Sequence, residues 1–269
     1  MTFGEEICAF IDANGVQAFL DRRYALPVIS IPERKVAVIP VPVRARTLPQ
    51  AGQVNACLRG LLASLVCEGR KSVILPEDIW RSCPEMMQGR LLAQLGRFRP
   101  VFARNTSVRR IDKGMASEFL GRWHTYGDAS ARYRYGMFTK GGELVAVASF
   151  SSGRTWQKEG RQVRSYEWVR YASLPDVRVV GGMGKVLKFF IGDVRPDDIM
   201  SYADLEWTDG SVYRKLGFDE DGGRDPVSFS VDIRTWERQP LRSVQASGKN
   251  DFTAFHINLG SLKYRLKLY

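Results

Sequence analysis

Helical and strand-like hydrophobic patterns alternate along this chain. The clearest helical pattern is at 51–66, where apolar residues recur three or four positions apart. Further helices are predicted within 2–20, at 86–95, 116–123 and 185–191, and in a last turn that ends near 216. Apolar and β-branched runs predict strands at 25–31, 36–43, 72–75, 133–139, 143–150, 165–172, 199–203 and 227–233. The patterns predict an α/β (α+β) fold.

The order of these elements divides the chain into three parts. We predict a smaller N-terminal α/β domain over 1–100, a mixed sheet flanked by helices over 101–233, and a basic C-terminal arm over 234–269. The polar, glycine-containing stretch 151–164 is interpreted as a loop, either a mobile one beside the substrate or only a disordered connection. The glycine-rich acidic stretch 219–226 is interpreted as a turn.

The stretch 165–218 contains candidate functional residues and a distinctive order of predicted elements. It is predicted to form a strand, a glycine turn, a helix, a second strand and a short helix. A glycine turn between a strand and a helix directs free backbone N–H groups to one point, and this arrangement suits a phosphate or pyrophosphate.

The same stretch resembles the second half of a GNAT-type acyltransferase. Glu167-x-x-Arg170, Gly181-Gly182 with Lys185, and Ser201-Tyr-Ala-Asp204 followed by Gly210 and Tyr213 are similar to motifs of Mom-type phage DNA-modification proteins. They are also similar to a domain that follows the nuclease in some phage homing endonucleases. The resemblance covers about 101–218. The chain departs from the usual acyl-CoA loop, R/Q-x-x-G-x-G/A, because 178–183 lacks the final small residue and 179–184 lacks the leading Arg or Gln.

The resemblance implies a GNAT-like sheet and specific residue roles. The donor, acetyl-CoA or another acyl donor, is expected to contact Val180, Gly181, Gly182, Gly184 and Lys185. Tyr213 is expected to protonate the leaving group, while Ser201 and Asp204 orient or deprotonate the acceptor. Arg170 is expected to pair with Asp204 or with a donor carboxylate.

Structural roles remain open for several of these residues. Glu167 and Arg170 also suit a salt bridge within the sheet, and Tyr213 suits a hydrophobic core. His124 follows a predicted helix and is a candidate general base by residue type, although a lone histidine is more often structural.

The N-terminal third resembles the very-short-patch-repair type of nuclease. The resemblance rests on the phrases LPVISIPERKVAVIPV and VILPEDIWRSCPEMMQGRLLAQLG. That family's chemistry needs an acid on each hairpin strand to hold a divalent metal, and here Val28 and Pro40 occupy those places. We therefore expect no metal and no nuclease activity. The alternative is a small α/β domain without that ancestry.

The net charge of the chain indicates what kind of partner it binds. The chain has 40 Lys and Arg against 29 Asp and Glu, a net charge of +11 and a pI near 9.7. Such a balance favours a polyanion, with DNA as the leading candidate, although a basic soluble enzyme is the alternative. The candidate DNA-binding residues are Arg97, Arg99, Arg104, Arg109, Arg110 and Arg154, of which those at 97–110 also suit a solvated connection.

Other function classes have little support in the sequence. No apolar run reaches the length that spans a bilayer, and the N-terminus is acidic, so we expect no membrane partner and a cytoplasmic protein, in the host cell if phage-encoded. The cysteines form no C-x-x-C pair and are interpreted as reduced core thiols. The oligomeric state is not predicted.

These observations lead to one function hypothesis with two alternatives. The first is a phage-type DNA-modifying transferase that adds a small acyl or aminoacyl-like group to a DNA base. The alternatives are a nucleic-acid-binding module without catalysis and a CoA-dependent N-acetyltransferase for a small amine.

Overall fold

The computed structural model of the protein describes residues 1–158, 160–241 and 251–269. The part of the predicted basic arm at 242–250 lies outside the described residues. The α-helices are α1 (Phe3–Ala13), α2 (Leu48–Cys67), α3 (Glu77–Ser82), α4 (Pro84–Gln94), α5 (Lys113–Trp123), α6 (Gly182–Val194) and α7 (Ser211–Lys215).

The strands are distributed along the whole chain, between these helices and after the last of them. In the N-terminal half they are β1 (Phe19–Asp21), β2 (Val28–Ile31), β3 (Val36–Val41), β4 (Lys71–Pro76), β5 (Arg99–Phe102), β6 (Thr106–Arg110), β7 (Tyr133–Thr139) and β8 (Leu144–Phe150). The remaining strands are β9 (Arg154–Lys158), β10 (Arg161–Ser173), β11 (Val177–Val180), β12 (Asp198–Asp204), β13 (Asp219–Arg224), β14 (Ser228–Asp232), β15 (Glu237–Pro240), β16 (Thr253–Ile257) and β17 (Ser261–Lys267). The predicted α/β (α+β) class is confirmed.

The contacts between residues divide the chain into two compact units, each made of three segments. The first contains Met1–Leu95, Asp204–Trp207 and Arg224–Ser261, and the second contains Gly96–Ala203, Thr208–Gly223 and Leu262–Tyr269. The described residues of the predicted C-terminal arm are therefore divided between the two units. Residues up to Ser261 group with the first unit, and the following residues group with the second because β17 belongs to its sheet.

The first unit is built on a sheet with the order β1-β2-β3-β4. Strands β2 and β3 form the predicted antiparallel hairpin, whose turn contains Lys35 at a φ of 51°. Strand β4 lies parallel to β3, and the intervening α2 packs Leu58, Leu61 and Leu65 into the core. A parallel neighbour requires such a crossover connection, which explains the long helix between two short strands.

The strands β14, β15 and β16 form a separate antiparallel sheet of the first unit. Asn55 of α2 donates two hydrogen bonds of 2.9 Å to the carbonyl oxygens of Ile257 and Asn258. This buried amide joins α2 to the end of β16 and satisfies backbone groups that would otherwise be buried without partners.

The second unit contains the mixed sheet that the sequence predicted. Its strand order is β13-β17-β12-β10-β8-β7-β6, with β9 paired to β10. Strands β6, β7, β8 and β10 are antiparallel neighbours, whereas β12 is parallel to β10. Helix α6 is the crossover between β10 and β12 and buries Val186, Leu187 and Phe190 against the sheet. This order of strand, glycine turn, helix and parallel strand confirms the GNAT-like arrangement.

Several local predictions were wrong. The stretch interpreted as a loop at 151–164 forms strand β9 and the first part of β10, because Gly160 adopts a φ of 78° and reverses the chain. The glycine-rich stretch at 219–224 is strand β13 rather than a turn. Cys57 and Cys67 are exposed, and so they are not core thiols, because both lie on the outward face of α2. Within the described residues, no helix is long and apolar enough to cross a membrane.

Candidate active site at two diverging strands

The central feature of the second unit is the point where β10 and β12 separate. The two strands pair over only three positions, Ser165 with Asp198 through Glu167 with Met200. Beyond them β10 continues along β8, with an irregularity between Trp168 and Arg170. Backbone groups past this point face an opening between two strands instead of a ladder, and ligands of open sheets bind at such places.

A chain of hydroxyl groups occupies this opening. The Ser201 hydroxyl donates to the Trp168 carbonyl oxygen at 2.9 Å, and the Ser201 oxygen lies 2.9 Å from the Tyr213 hydroxyl. Because the serine proton is used on the carbonyl, Tyr213 is the donor to Ser201. The structure thus brings two of the predicted catalytic residues into direct contact.

The environment of Tyr213 keeps its phenol protonated. Burial raises the pKa of Tyr213, and this effect outweighs the opposite effect of the bond to Ser201. Its ring stacks on Tyr264 at a centroid distance of 5.2 Å, and the Tyr264 hydroxyl accepts a hydrogen bond of 2.8 Å from Arg214. A protonated, held phenol can act as a general acid at neutral pH.

Gly210 makes this tyrosine pair possible. It has a φ of 73° at the start of α7, and a Cβ at this position would lie 2.1 Å from the Tyr264 hydroxyl oxygen. Only glycine combines the left-handed backbone with this close approach. The Gly210 of the sequence motif therefore has a packing role.

The N-terminus of α6 is the candidate phosphate site. Gly181 precedes the helix with a φ of 77°, and no side chain among the described residues caps it. The first N–H groups of a helix lack intrahelical partners and carry the positive end of its dipole, so they favour an anion. At Gly182 a Cβ would lie 2.7 Å from the Tyr171 hydroxyl, so this glycine is required for packing. Val180 is 44% exposed beside the turn.

Lys185 is directed elsewhere. Its ammonium group donates to the carbonyl oxygens of Ala103 and Thr106, at 2.8 Å in the case of Ala103. The side chain thus ties α6 to the connection between β5 and β6. Any part that Lys185 takes in donor binding would compete with these bonds. Gly184 lies within the first turn of α6.

Arg170 forms a hydrogen bond with the turn that follows His124. His124 ends α5, and its Nδ1 accepts a hydrogen bond of 3.1 Å from the Tyr126 N–H. The Arg170 guanidinium donates to the Gly127 carbonyl at 3.2 Å and to the Val169 carbonyl at 2.9 Å. Burial lowers the pKa of Arg170, and the nearby Glu167 opposes this effect. Arg170 therefore holds the turn that follows His124.

Asp204 is assigned to a different compact unit from the other candidate catalytic residues. It is the last residue of β12 and belongs to the first unit. Its Oδ1 accepts a hydrogen bond of 2.9 Å from the Glu206 N–H, and its carbonyl accepts one of 3.0 Å from Trp207. The carboxylate thus stabilises the turn at 204–207.

Carboxylates or aromatic rings engage most of the predicted DNA-binding arginines. Arg99 forms a salt bridge of 2.6 Å with Glu143, and Arg110 one of 2.8 Å with Asp193. The guanidinium groups of Arg104 and Arg109 lie 5.1 Å and 3.8 Å from the ring centroids of Phe102 and Phe138. Arg97 and Arg154 are exposed. Arg99, Arg104, Arg109 and Arg110 thus have structural partners that sequence analysis could not supply.

Sequence analysis missed a polar row on the same sheet. Arg134, Ser149 and Arg170 are cross-strand neighbours on β7, β8 and β10. Asp128 accepts a hydrogen bond of 2.5 Å from Ser117 and lies 4.0 Å from Arg134. Arg134 and Ser149, polar residues within the mostly apolar runs of β7 and β8, were the available signal. Among the described residues, no group of three His, Cys, Asp or Glu is placed to hold a metal ion.

Comparisons with known proteins find similarity to solved acetyltransferase structures. An acetyltransferase from Bacillus subtilis in complex with CoA covers 61% of this chain and 99% of its own, with 16% identity and a TM-score of 0.37. Nourseothricin acetyltransferase covers 61% and 99%, with 10% identity and a TM-score of 0.38. A spermidine/spermine N-acetyltransferase from Vibrio cholerae covers 61% and 94%, with 10% identity and a TM-score of 0.36.

No protein-family model and no curated protein matches the chain. The fold assignment therefore rests on the strand order and on the parallel crossover from β10 to β12 described above.

Proposed function

We propose that the second unit is a transferase that moves a small acyl group from a phosphate-bearing donor to an amine. The observation that carries this proposal is the Tyr213–Ser201 pair at the point where β10 and β12 separate. A protonated phenol within an opened sheet is suited to proton transfer. A tyrosine that served only to pack the core would not need to lie at an opening between two strands.

The donor fits the residues that precede α6. The uncapped N–H groups after Gly181 suit a pyrophosphate, and the exposed Val180 leaves room beside them. Acetyl-CoA or another acyl donor would supply the activated carbonyl carbon when bound. The chain's own contribution is to hold the donor phosphates and to direct the donor toward the opening between the strands.

Tyr213 is proposed as the general acid. The attacking amine forms a bond to the acyl carbon, the bond to the leaving group breaks, and the leaving group takes the phenol proton. The proton that the amine nitrogen loses then returns to the phenolate, directly or through solvent, and restores the phenol. Rotation of the Tyr213 hydroxyl hydrogen away from Ser201 is sufficient for this donation. The Ser201 hydroxyl can then turn from the Trp168 carbonyl toward the phenolate, because its oxygen already lies 2.9 Å away.

A DNA base is proposed as the acceptor. The net charge of +11 favours a polyanionic partner, and Arg104 and Arg154 are exposed on the second unit. This part of the proposal agrees with the resemblance to phage DNA-modification proteins. The first unit is proposed to assist binding without nuclease chemistry, because buried Val28 and Pro40 stand where the resemblance requires acids.

Nucleoside mass spectrometry on DNA from expressing cells tests the reaction. Tyr213→Phe removes the proposed acid, and Tyr24→Phe removes a phenol hydroxyl of the first unit as the matched control. We expect a new nucleoside with the wild type and with Tyr24→Phe, and a yield lower by about 100-fold with Tyr213→Phe. An equal yield from Tyr213→Phe would refute the assigned acid. Acetylation of small amines without any new nucleoside would replace DNA as the acceptor.

Calorimetric titration with acetyl-CoA tests the donor site separately. Val180→Glu places a negative charge beside the start of α6, and Phe189→Glu places one on the exposed side of the same helix. We expect Val180→Glu to weaken binding at least tenfold and Phe189→Glu to leave it within about threefold, since the effect is confined to the first turn. Equal effects of both variants would contradict the site.

A further inference from the structure

A hairpin of the second unit extends the central strand beyond the candidate active site. Strand β9 pairs antiparallel with the first half of β10, from Arg154 opposite Ser165 to Lys158 opposite Arg161. Gly160 provides the left-handed turn with a φ of 78°. The hairpin is therefore an ordered platform on the strand that also carries Trp168.

One face of this hairpin combines an aromatic ring with positive charge. Trp156 is 51% exposed, whereas its cross-strand partner Val163 is fully buried. Positions two apart on a strand, and their direct partners, share a face, so Arg154 and Arg161 lie on the face of Trp156. The guanidinium of Arg161 lies 3.8 Å from the ring centroid of Tyr269, which holds this arginine beside the hairpin.

We infer that this face binds single-stranded nucleic acid, with a base stacked on Trp156 and backbone phosphates bound by Arg154 and Arg161. Every base offers a π-face to an exposed indole ring, and guanidinium groups complement phosphates in charge and geometry. The segment 154–164 has four basic residues and one acidic residue, so its charge suits a polyanion. None of these residues takes part in the reaction proposed above.

The neighbouring residues distinguish this partner from a lipid surface. The opposite face of the hairpin carries Thr155, Gln157, Gln162 and Arg164, all of them exposed and polar. A membrane-binding hairpin needs several apolar side chains to insert between lipids. Here Trp156 is a single ring in a polar, cationic setting, which suits stacking on one base at a time.

The position of the platform also defines its relation to the reaction. Val163, opposite Trp156, precedes Trp168 by five residues of the same strand, a distance of about 17 Å at the usual rise of a strand. A base on Trp156 is therefore not the reacting base. If the proposed function holds, the hairpin binds a nucleotide that flanks the acceptor base. The acceptor base would then lie in an unpaired strand.

Fluorescence anisotropy with a labelled oligothymidine tests the binding without any acyl donor. We expect Trp156→Ala to raise Kd about 10- to 100-fold, and Trp156→Phe, which keeps a ring, to stay within about threefold of the wild type. An anisotropy titration in which Trp156→Ala binds as the wild type does would overturn the inference. The same outcome follows if the wild type binds phosphatidylserine vesicles but no oligonucleotide.

The salt dependence of Kd tests the phosphate contacts. Each single-strand phosphate contact contributes about 0.7 to the slope of log Kd against log salt, so the double variant Arg154→Gln/Arg161→Gln should lower the slope by about 1.4. The matched control is Arg22→Gln/Arg23→Gln, which removes two arginines of 70% and 83% exposure from the first unit. Equal slopes for the two double variants would refute the assignment.

The two proposals can fail independently. Loss of oligonucleotide binding in Trp156→Ala together with an absent new nucleoside in the wild type would retain the platform and reject base modification. A new nucleoside formed equally by the wild type and by Trp156→Ala would retain the reaction and reject the platform.

Discussion

The first unit buries an ionic cluster, whereas the second unit places a pair of hydroxyl groups where its sheet opens. In the first unit, Asp78 is fully buried and accepts two hydrogen bonds of 2.6 Å from Arg238. Glu206 lies 2.9 Å from His256 and 3.7 Å from Arg238. The adjacent Glu77 is also buried and forms salt bridges to Arg44 at 2.7 Å and to Arg81 at 3.5 Å. Each buried acid is matched by a nearby base or histidine.

The second unit places neutral hydroxyls where its sheet opens. Ser201 and Tyr213 bond to each other and to one backbone carbonyl, and neither carries a charge at neutral pH. In the ionic cluster, the charged groups are bonded to one another and are not available to a ligand. A hydroxyl chain can release its bonds at small energetic cost. The ionic cluster is therefore expected to act on stability, and the hydroxyl pair is the place where we propose the chemistry.

The largest expected effect is on the ionic cluster. Arg238→Ala leaves Asp78 and Glu206 buried without their arginine, and we expect the free energy of unfolding to fall by about 3–5 kcal/mol. Urea denaturation followed by circular dichroism measures this loss. Arg234→Ala, which breaks an exposed pair with Asp232, should cost less than about 1 kcal/mol. Similar losses for the two variants would show that the buried cluster stabilises the first unit no more than an exposed ion pair does.

Gly210→Ala tests the packing behind the hydroxyl chain. The new Cβ would meet the Tyr264 hydroxyl at 2.1 Å at a residue whose φ is 73°, so we expect a loss of about 2–4 kcal/mol in the free energy of unfolding. Gly52→Ala is the matched control, because nothing lies within 4 Å of the added Cβ in α2. There we expect a gain of about 0.5–1 kcal/mol. Thermal unfolding of both variants checks the signs.

Ser201→Ala separates chemistry from stability. It removes one hydroxyl and leaves the Trp168 carbonyl and the Tyr213 phenol without their shared partner, at a cost of about 1–3 kcal/mol in stability. If Ser201 positions the acid as proposed, kcat should fall about tenfold or more while KM for the donor changes little. Ser201→Thr, which keeps the hydroxyl, should recover part of kcat. A fall in stability with unchanged kcat would place Ser201 in the core only.

The smallest expected effect concerns Asp193 of α6. The Tyr135 hydroxyl, at 2.7 Å, and the Arg110 guanidinium hold the pKa of Asp193 below its ordinary value. The ionised carboxylate therefore stabilises the fold above the unfolded-state pKa of about 4, and this contribution is lost as the pH falls through the lower folded-state pKa. We expect Asp193→Asn to cost about 1 kcal/mol at pH 7 and less as the pH falls below about 4.

Urea titrations at pH 7, 5 and 3 check this pH dependence. Asp176→Asn changes an exposed carboxylate of the second unit and should alter the free energy of unfolding by less than about 0.5 kcal/mol at each pH. A gap between wild type and Asp193→Asn that does not change with pH would contradict the assigned cause.

Local sequence determined most of the elements and the class of the fold. The helical periodicity at 51–66 and the strand, glycine turn and helix from 165 to 191 depend on neighbours within one or two turns, so α2, β10 and α6 were predictable. Helix α3 and strands such as β1, β11, β15 and β16 were not predicted, and neither were β9 and β13, whose polar residues carry no apolar alternation. Their pairing with β10 and β17 forms them, and pairing partners are not visible in a local window.

Only the tertiary structure decided which polar side chains meet. Ser201 reaches Tyr213 across twelve residues and the Trp168 carbonyl across thirty-three, and Lys185 is bound by carbonyls about eighty residues away. Asp78 and Arg238 pair across 160 residues of chain. Such contacts depend on the strand order and on burial, which make an unpaired polar group costly and select one partner among many. The residue types of the site were therefore readable in the sequence, whereas their partnerships were not.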